Sequence, residues 1–306
     1  MASATDSPAL QAPTPQVRAP RRGLGHLRAG SLLGTVPFFA YVAVFLFIPT
    51  LVVVIGAFAG DGGVTLANVK ALGEGYILDA FGRSIALSAI TAVIGAVLGA
   101  VLAYALVTAR PGGPLRRVVT AASGVLAQFG GVTLAFAFIA TIGLSGFVTV
   151  FLRDHLGIDL YAGGVWLFEL PGLALVYTYF QVPLMVIVFL PALDGLRPQW
   201  REATESLGGS TWQYWTRVAG PLLAPAFLGS LLLLFANAFS AYATAAALVS
   251  QGNPIVPLQI RGALTSEVVL GQQNLGKAMA LGMVVVVALV MTGYTLLQRR
   301  TARWLG

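Results

Sequence analysis

The sequence predicts an all-α integral membrane protein with six transmembrane helices and with its N and C termini cytoplasmic. Three observations lead there. Hydrophobic residues make up 57% of the 306 and charged residues 9%, against about 25% charged in a soluble domain. The charges leave six uncharged runs, 29–60, 84–109, 118–152, 170–193, 218–260 and 278–298. Each exceeds the roughly 20 residues that a helix needs to cross a bilayer core. The basic residues are also lopsided. With the N-terminus inside, thirteen of the eighteen fall in cytoplasmic segments, among them Arg110, Arg116, Arg117, Arg197, Arg201 and Arg217. The outer segments keep Lys70, Arg83, Arg153, Arg261 and Lys277, as the positive-inside rule expects. The net charge of +7 therefore reports topology and excludes nucleic acid as a partner; membrane lipid is the partner it implies.

The runs are helices because a helix satisfies every backbone group within its own segment. Barrel strands would alternate over about ten residues. Residues 1–34 are rich in Ala, Pro, Ser and Arg and read as a disordered basic cytoplasmic tail. A first helix at about 35–58 comes next, with Pro49 as a kink. Its apolar stretch is too long for the core of a cleaved signal peptide. An outer segment extends to residue 83, with a turn at Gly62-Gly63 and a short surface helix within Val64–Leu72.

The second helix is expected at about 84–109. Ala92, Gly95, Gly99 and Ala103 give it a small-residue face, suited either to close packing within one subunit or to a dimer contact. A third helix at 118–144 carries Gly130-Gly131 as a bend, and an outer segment with an interfacial helical piece reaches residue 169. The fourth helix covers 170–193 with Pro183 inside, the fifth 222–250 and the sixth 277–298, before a tail at 299–306.

Between the fourth and fifth helices lies the most informative stretch, Asp194 to Leu222. Pro198 suits a first helical turn. Residues 198–207 then run without a breaker, with Ala203 and Leu207 as an apolar stripe. Gly208-Gly209 stops that helix. Ser210 and Gln213 form a capping box that starts a second one, with Trp212, Trp215 and Ala219 on one face. A helix, a glycine corner and a second helix are thus offered to the cytoplasm. A loop lying on the membrane, with the two tryptophans as interfacial anchors, is the plainer alternative.

The pattern Glu202-Ala203, then Gly208, then Val218, Gly220 and Pro221 resembles the EAA loop of bacterial ABC importer permeases. From about 84 to 298 the chain resembles the transmembrane component of type I, binding-protein-dependent importers, the MetI-like group. The stretch FANAFSAYATAAALV at 235–249 and the Leu170-Pro171 start of the fourth helix look like the branch serving spermidine/putrescine, ferric iron, thiamine and phosphonate. The resemblance implies a five-helix permease core at 84–298, with a coupling loop at 194–222, preceded by a leading helix and outer segment at 35–83. Glu202, Ala203, Glu205, Leu207, Gly208, Val218 and Pro221 would engage an ATPase subunit. Partners would be an ATPase dimer, a second permease subunit (the same or a homologous chain) and an extracytoplasmic solute-binding protein, in a bacterial cell membrane. Two positions depart from the pattern. Thr204 replaces the second alanine of the motif. Gly220 replaces the usual leucine and takes away a side chain available for packing against the ATPase.

Polar residues within the runs are candidates for the translocation path, since polar groups in a bilayer face a cavity or a neighbouring helix. They are Gln128, Tyr177, Gln181 and the stripe Asn237, Ser240 and Thr244. Interhelical hydrogen bonding within one subunit is the alternative for each. No Asp, Glu, Lys, Arg or His lies in any run, which argues against a secondary carrier with a buried carboxylate relay. Such a carrier, or a channel, would work without an ATPase partner. No catalytic residues stand out. Cysteine is absent and the two histidines, His26 and His155, fall on opposite sides, so no metal site is expected. No phosphate-binding GxxxxGK[ST] motif occurs. ATP and Mg are expected to belong to the ATPase, with no cofactor bound by this chain.

Overall fold

The computed structural model describes residues 29–60, 62–109, 113–249, 255–265 and 272–302. Six helices are long and apolar enough to cross a membrane: Thr35–Ala57, Gly75–Thr108, Gly131–Leu156, Leu170–Asp194, Thr211–Ser240 and Gln273–Leu296. The chain is a multi-pass membrane protein.

Two units divide the chain, Met1–Thr50 and Leu51–Gly306. The first contains α1 (Ala29–Val42), a π turn at Ala43–Phe47 and the start of α2 (Ile48–Ala57). Helix therefore begins at Ala29, inside the segment expected to be tail, and the rest of that segment, 1–28, lies outside the described residues. The second unit opens with a hairpin, β1 (Ala59–Gly60) and β2 (Gly63–Val64), antiparallel with Ala59 opposite Val64. The short helix α3 (Ala67–Ala71) comes after it, within the stretch expected to hold one.

Helix α4 (Gly75–Thr108) starts nine residues before the expected boundary at 84. Asp79 and Arg83 end the apolar run but do not end the helix, since charged side chains outside the bilayer core are ordinary helix residues. Its glycines explain its packing. A Cβ on Gly95 would sit 2.5 Å from Gln181 Cβ, and one on Gly99 would sit 2.5 Å from Met185 Cβ and 2.7 Å from the Val182 carbonyl. The small-residue face is thus the seat of α8 (Leu170–Asp194). It packs within one subunit, and van der Waals contact between close backbones holds it.

The third run departs most from expectation. It does not bend at Gly130-Gly131 but breaks there, into α5 (Pro114–Gln128) and α6 (Gly131–Ile142). Gly131 takes φ +69°, a left-handed conformation that L-residues with a side chain avoid. A second break precedes α7 (Phe147–Leu156), and the span-length segment runs across it, over 131–156 and not 118–144.

Beyond α8 come α9 (Pro198–Ser206), α10 (Thr211–Tyr214), a π turn at Trp215–Ala219 and α11 (Gly220–Ser240). The fifth apolar run is also broken, at Ala241-Tyr242, before α12 (Ala243–Leu248). Helix α13 (Val256–Thr265) is capped by Ser84, whose Oγ accepts the Val256 N–H at 2.9 Å. Helix α14 (Gln272–Ala302) is longer at both ends than the expected 277–298. The core lies along α4, α8 and α11, where Ala96, Met185, Val186, Leu234 and Phe239 are buried together.

Candidate functional site

The loop between α8 and α11 is built from local rules. Asp194, at the end of α8, pairs with Arg116 of α5 at 2.5 Å and fixes where the loop departs. Pro198 occupies the first turn of α9. Arg201 and Glu205 pair along α9 at 3.0 Å, both more than half exposed, worth a few tenths of a kcal/mol. The helix stops at Gly208, φ +76°. The Gly208 N–H donates to the Glu205 carbonyl at 2.9 Å and the Gly209 N–H to the Thr204 carbonyl at 2.8 Å. Ser210 then forms the capping box in both directions: Gln213 N–H to Ser210 Oγ at 3.3 Å and Ser210 N–H to Gln213 Oε1 at 2.8 Å.

The two halves of the loop differ in anchorage. Glu202, Ala203, Glu205, Leu207 and Gly208 are all exposed, Leu207 at 89%. In the second half Tyr214 is buried and Trp215 packs edge-on to Tyr104 of α4 at 5.3 Å. Trp212, expected on the same face as Trp215 and Ala219, is instead 76% exposed while Ala219 is buried. The π turn is the reason: an extra residue in the turn rotates the residues on its C-terminal side away from α-helical spacing. Val218 is half-buried and Pro221 exposed.

That turn also accounts for Gly220. Its N–H bonds to the Trp215 carbonyl, and a Cβ there would lie 2.5 Å from the same oxygen. A leucine at 220 would collide with backbone. From Thr211 to Ser240 the chain is then one helical rod of 30 residues, about 45 Å at 1.5 Å rise per residue.

At the far end of this rod is a cavity of about 290 Å³. Asn237, Ser240 and Thr244 all line it, beside Gly130, Gly131 and Tyr242. The three polar residues meet there although the helix breaks between the second and third. Asn237 and Ser240 are exposed and Thr244 is 2% exposed. Gln128 is exposed at the end of α5, and its neighbours Ala127 and Gly130 reach the cavity.

Tyr177 and Gln181 are placed otherwise. Both are fully buried. The Tyr177 hydroxyl donates to the Ala241 carbonyl at 2.5 Å, and Gln181 Nε2 donates to the Leu234 carbonyl at 2.9 Å. They hold α8 to the α11–α12 segment and line no part of the cavity. The hydroxyl of Tyr177 takes the place of a helical donor at the break, where an unsatisfied carbonyl would be costly in lipid. Sequence reasoning missed Tyr242 and the requirement for Gly220. Only Tyr242 carried a signal, as a polar-tipped side chain within an apolar run.

The fold is found elsewhere. A chain of a bacterial ABC transporter involved in the import of the acidic polysaccharide alginate superposes with a TM-score of 0.72 at 16% identity, over 89% of this chain and 96% of that one. A chain of the MetNI methionine ABC transporter gives 0.55 at 17% identity, over 73% of this chain and 95% of that one. This is the fold of an ABC importer permease subunit. Sequence relatives agree with that fold. A ferric transport system permease protein, FbpB, of Actinobacillus pleuropneumoniae is 28% identical over 198 residues, 62% of this chain. The sulfate transport permease CysT of Escherichia coli is 30% identical over 112 residues, 37% of this chain. The matched region spans 27% of the length of that FbpB and 36% of that CysT. No protein-family model matches the chain.

Proposed function

We propose that this chain is the permease subunit of an ATP-driven, binding-protein-dependent importer, forming the path for a small polar solute. The observation that carries this reading is mechanical. An exposed helix and glycine corner stand at one end of a 30-residue helical rod, and Asn237 and Ser240 stand near its other end beside a cavity. A rigid rod transmits a displacement that a flexible loop would dissipate. In this reading Glu202, Ala203, Glu205, Leu207 and Gly208 dock into a separate ATPase dimer, with Val218 and Pro221 at the root of the rod.

ATP and Mg belong to that partner, and this chain catalyses no hydrolysis. A second permease subunit, identical or homologous, closes the path around Asn237, Ser240 and Thr244. An extracytoplasmic binding protein delivers the solute. Among the polyamine, phosphonate, ferric-iron and thiamine classes, FbpB supports ferric iron, and CysT adds sulfate. The assembly sits in a bacterial cell membrane.

Reconstitution tests the reading. ATP hydrolysis is expected only when an ATPase subunit joins the purified chain, and uptake into vesicles only with ATPase, ATP and binding protein together. Uptake that persists without any ATPase would make the chain a carrier or channel. Hydrolysis by the isolated, contaminant-free chain would overturn the assignment outright.

A further inference from the structure

The break between α11 and α12 has a second face. Ser240 and Tyr242 line not only the cavity already described but another, of about 410 Å³, completed by Pro257, Ile260, Arg261, Leu264 and Thr265 of α13 and Met283 of α14, so that its walls are largely apolar around one charge. The two cavities therefore share their dividing residues. Arg261 is the first charge after the fifth apolar run, and the fold brings it back to Tyr242, at the break within that run. Its guanidinium carbon lies 5.8 Å from the centre of the Tyr242 ring. At that separation the ring face attracts the cation and leaves the guanidinium N–H groups free to donate to a ligand. Among the described residues, Arg261 joins no ion pair and no carboxylate lines the cavity. The Tyr242 hydroxyl likewise has no partner among them, so it is available as a second donor.

We infer that this cavity is a solute station selective for anions, with Arg261 as its charge, the Tyr242 ring beside it and apolar walls that leave that charge unscreened. The solute class it fits is an oxyanion, or a complex whose outward groups are carboxylate or phosphate. A polyamine or thiamine, carrying positive charge, would be repelled. The inference rests on the reading of the adjoining cavity as part of a translocation path and narrows its substrate class. The bidentate geometry of a guanidinium suits two oxygens of one anion.

The absence of cysteine makes the test direct. Ser240→Cys, in the full chain assembled with its partners, is treated with a negatively charged and with a positively charged thiosulfonate reagent of similar size. The anionic reagent is expected to react faster than the cationic one, and Arg261→Gln should lower the ratio of the two rates roughly tenfold. Arg261→Lys, which keeps the charge and loses the planar fork, should retain most of the preference. Sulfate should slow labelling in the Arg261 protein more than chloride at equal ionic strength, and the difference should vanish in Arg261→Gln. Labelling that ignores residue 261, or is slowed equally by sulfate and chloride, overturns the anion station while leaving the path intact. Failure of both reagents to reach Ser240→Cys in every nucleotide state removes the path reading, and the station with it.

Discussion

Tyr177 and Gln181 lie one turn apart on α8, and both donate to backbone carbonyls of the fifth run, yet their bonds do different work. Ala241 stands at a break, so its carbonyl depends on the tyrosine. Leu234 stands inside α11, where its carbonyl already has a helical donor, and the glutamine adds a second bond while its own Oε1 finds no partner among the described residues. Removing the first donor strands a buried acceptor; removing the second strands nothing. Tyr177→Phe should therefore cost about 1–2 kcal/mol, and Gln181→Leu less than about 1 kcal/mol, near the average interhelical bond in membranes. Thermal unfolding of the purified variants in one detergent checks the order. A larger loss for Gln181→Leu would show that the side-chain bond, not the break, governs stability here. Neither role was legible in the sequence. Both residues read equally well as path lining or as internal bonds, because the choice depends on which carbonyl lies opposite, and only packing decides that.

The loop between α8 and α11 was legible almost residue by residue, since its signals are local: a proline at the first turn, a left-handed glycine, a reciprocal capping box. The π turn after α10 was not, because nothing in a five-residue stretch announces an extra residue per turn. Its consequence concerns Gly220, which departs from the importer-permease motif that the loop resembles. Restoring leucine there brings a Cβ to within 2.5 Å of the Trp215 carbonyl, and relief requires the turn to rewind as α-helix. One residue fewer in the turn rotates α10 and α9 by about 100° relative to α11. Gly220→Leu should accordingly leave membrane insertion intact and yet cut ATPase co-purification severalfold. Gly208 makes the complementary case. Open space surrounds it, so a side chain there meets only the backbone penalty of about 1–2 kcal/mol until a partner arrives. Gly208→Asp should fold and insert but fail to assemble with the ATPase, and Glu202→Lys on the same exposed helix should weaken assembly by charge reversal. Normal co-purification in all three variants would dismiss the loop as a docking element.

Across the whole molecule, the six apolar runs mark the six long helices because hydropathy alone sets what can cross a bilayer, whereas the breaks inside the third and fifth runs depend on tertiary partners and stayed hidden. Those breaks bring Asn237, Ser240 and Thr244 to one cavity, and they bear on how the molecule would move. Asn237 lies 17 residues beyond the start of α11 at Gly220, about 25 Å along it at 1.5 Å rise per residue, toward the outer side of a core of roughly 30 Å but still within it. A water-soluble thiol reagent reaches that depth only through an aqueous path. Single cysteines at Asn237, Ser240 and Thr244 are therefore compared with controls at Leu232 and Phe235, which are half-buried and buried. Asn237→Cys and Ser240→Cys are expected to label readily in the resting complex. Thr244, 2% exposed on the far side of the break, should label only after ATP and the binding protein are added, when movement of the rod parts α11 from α12 and opens the shared cavity. The controls should stay slow throughout. Equal and negligible labelling at all five positions in every state would mean that this surface is packed against a neighbouring helix. Prompt labelling of Thr244→Cys without nucleotide would mean that the cavity is already open and that the rod does not gate it.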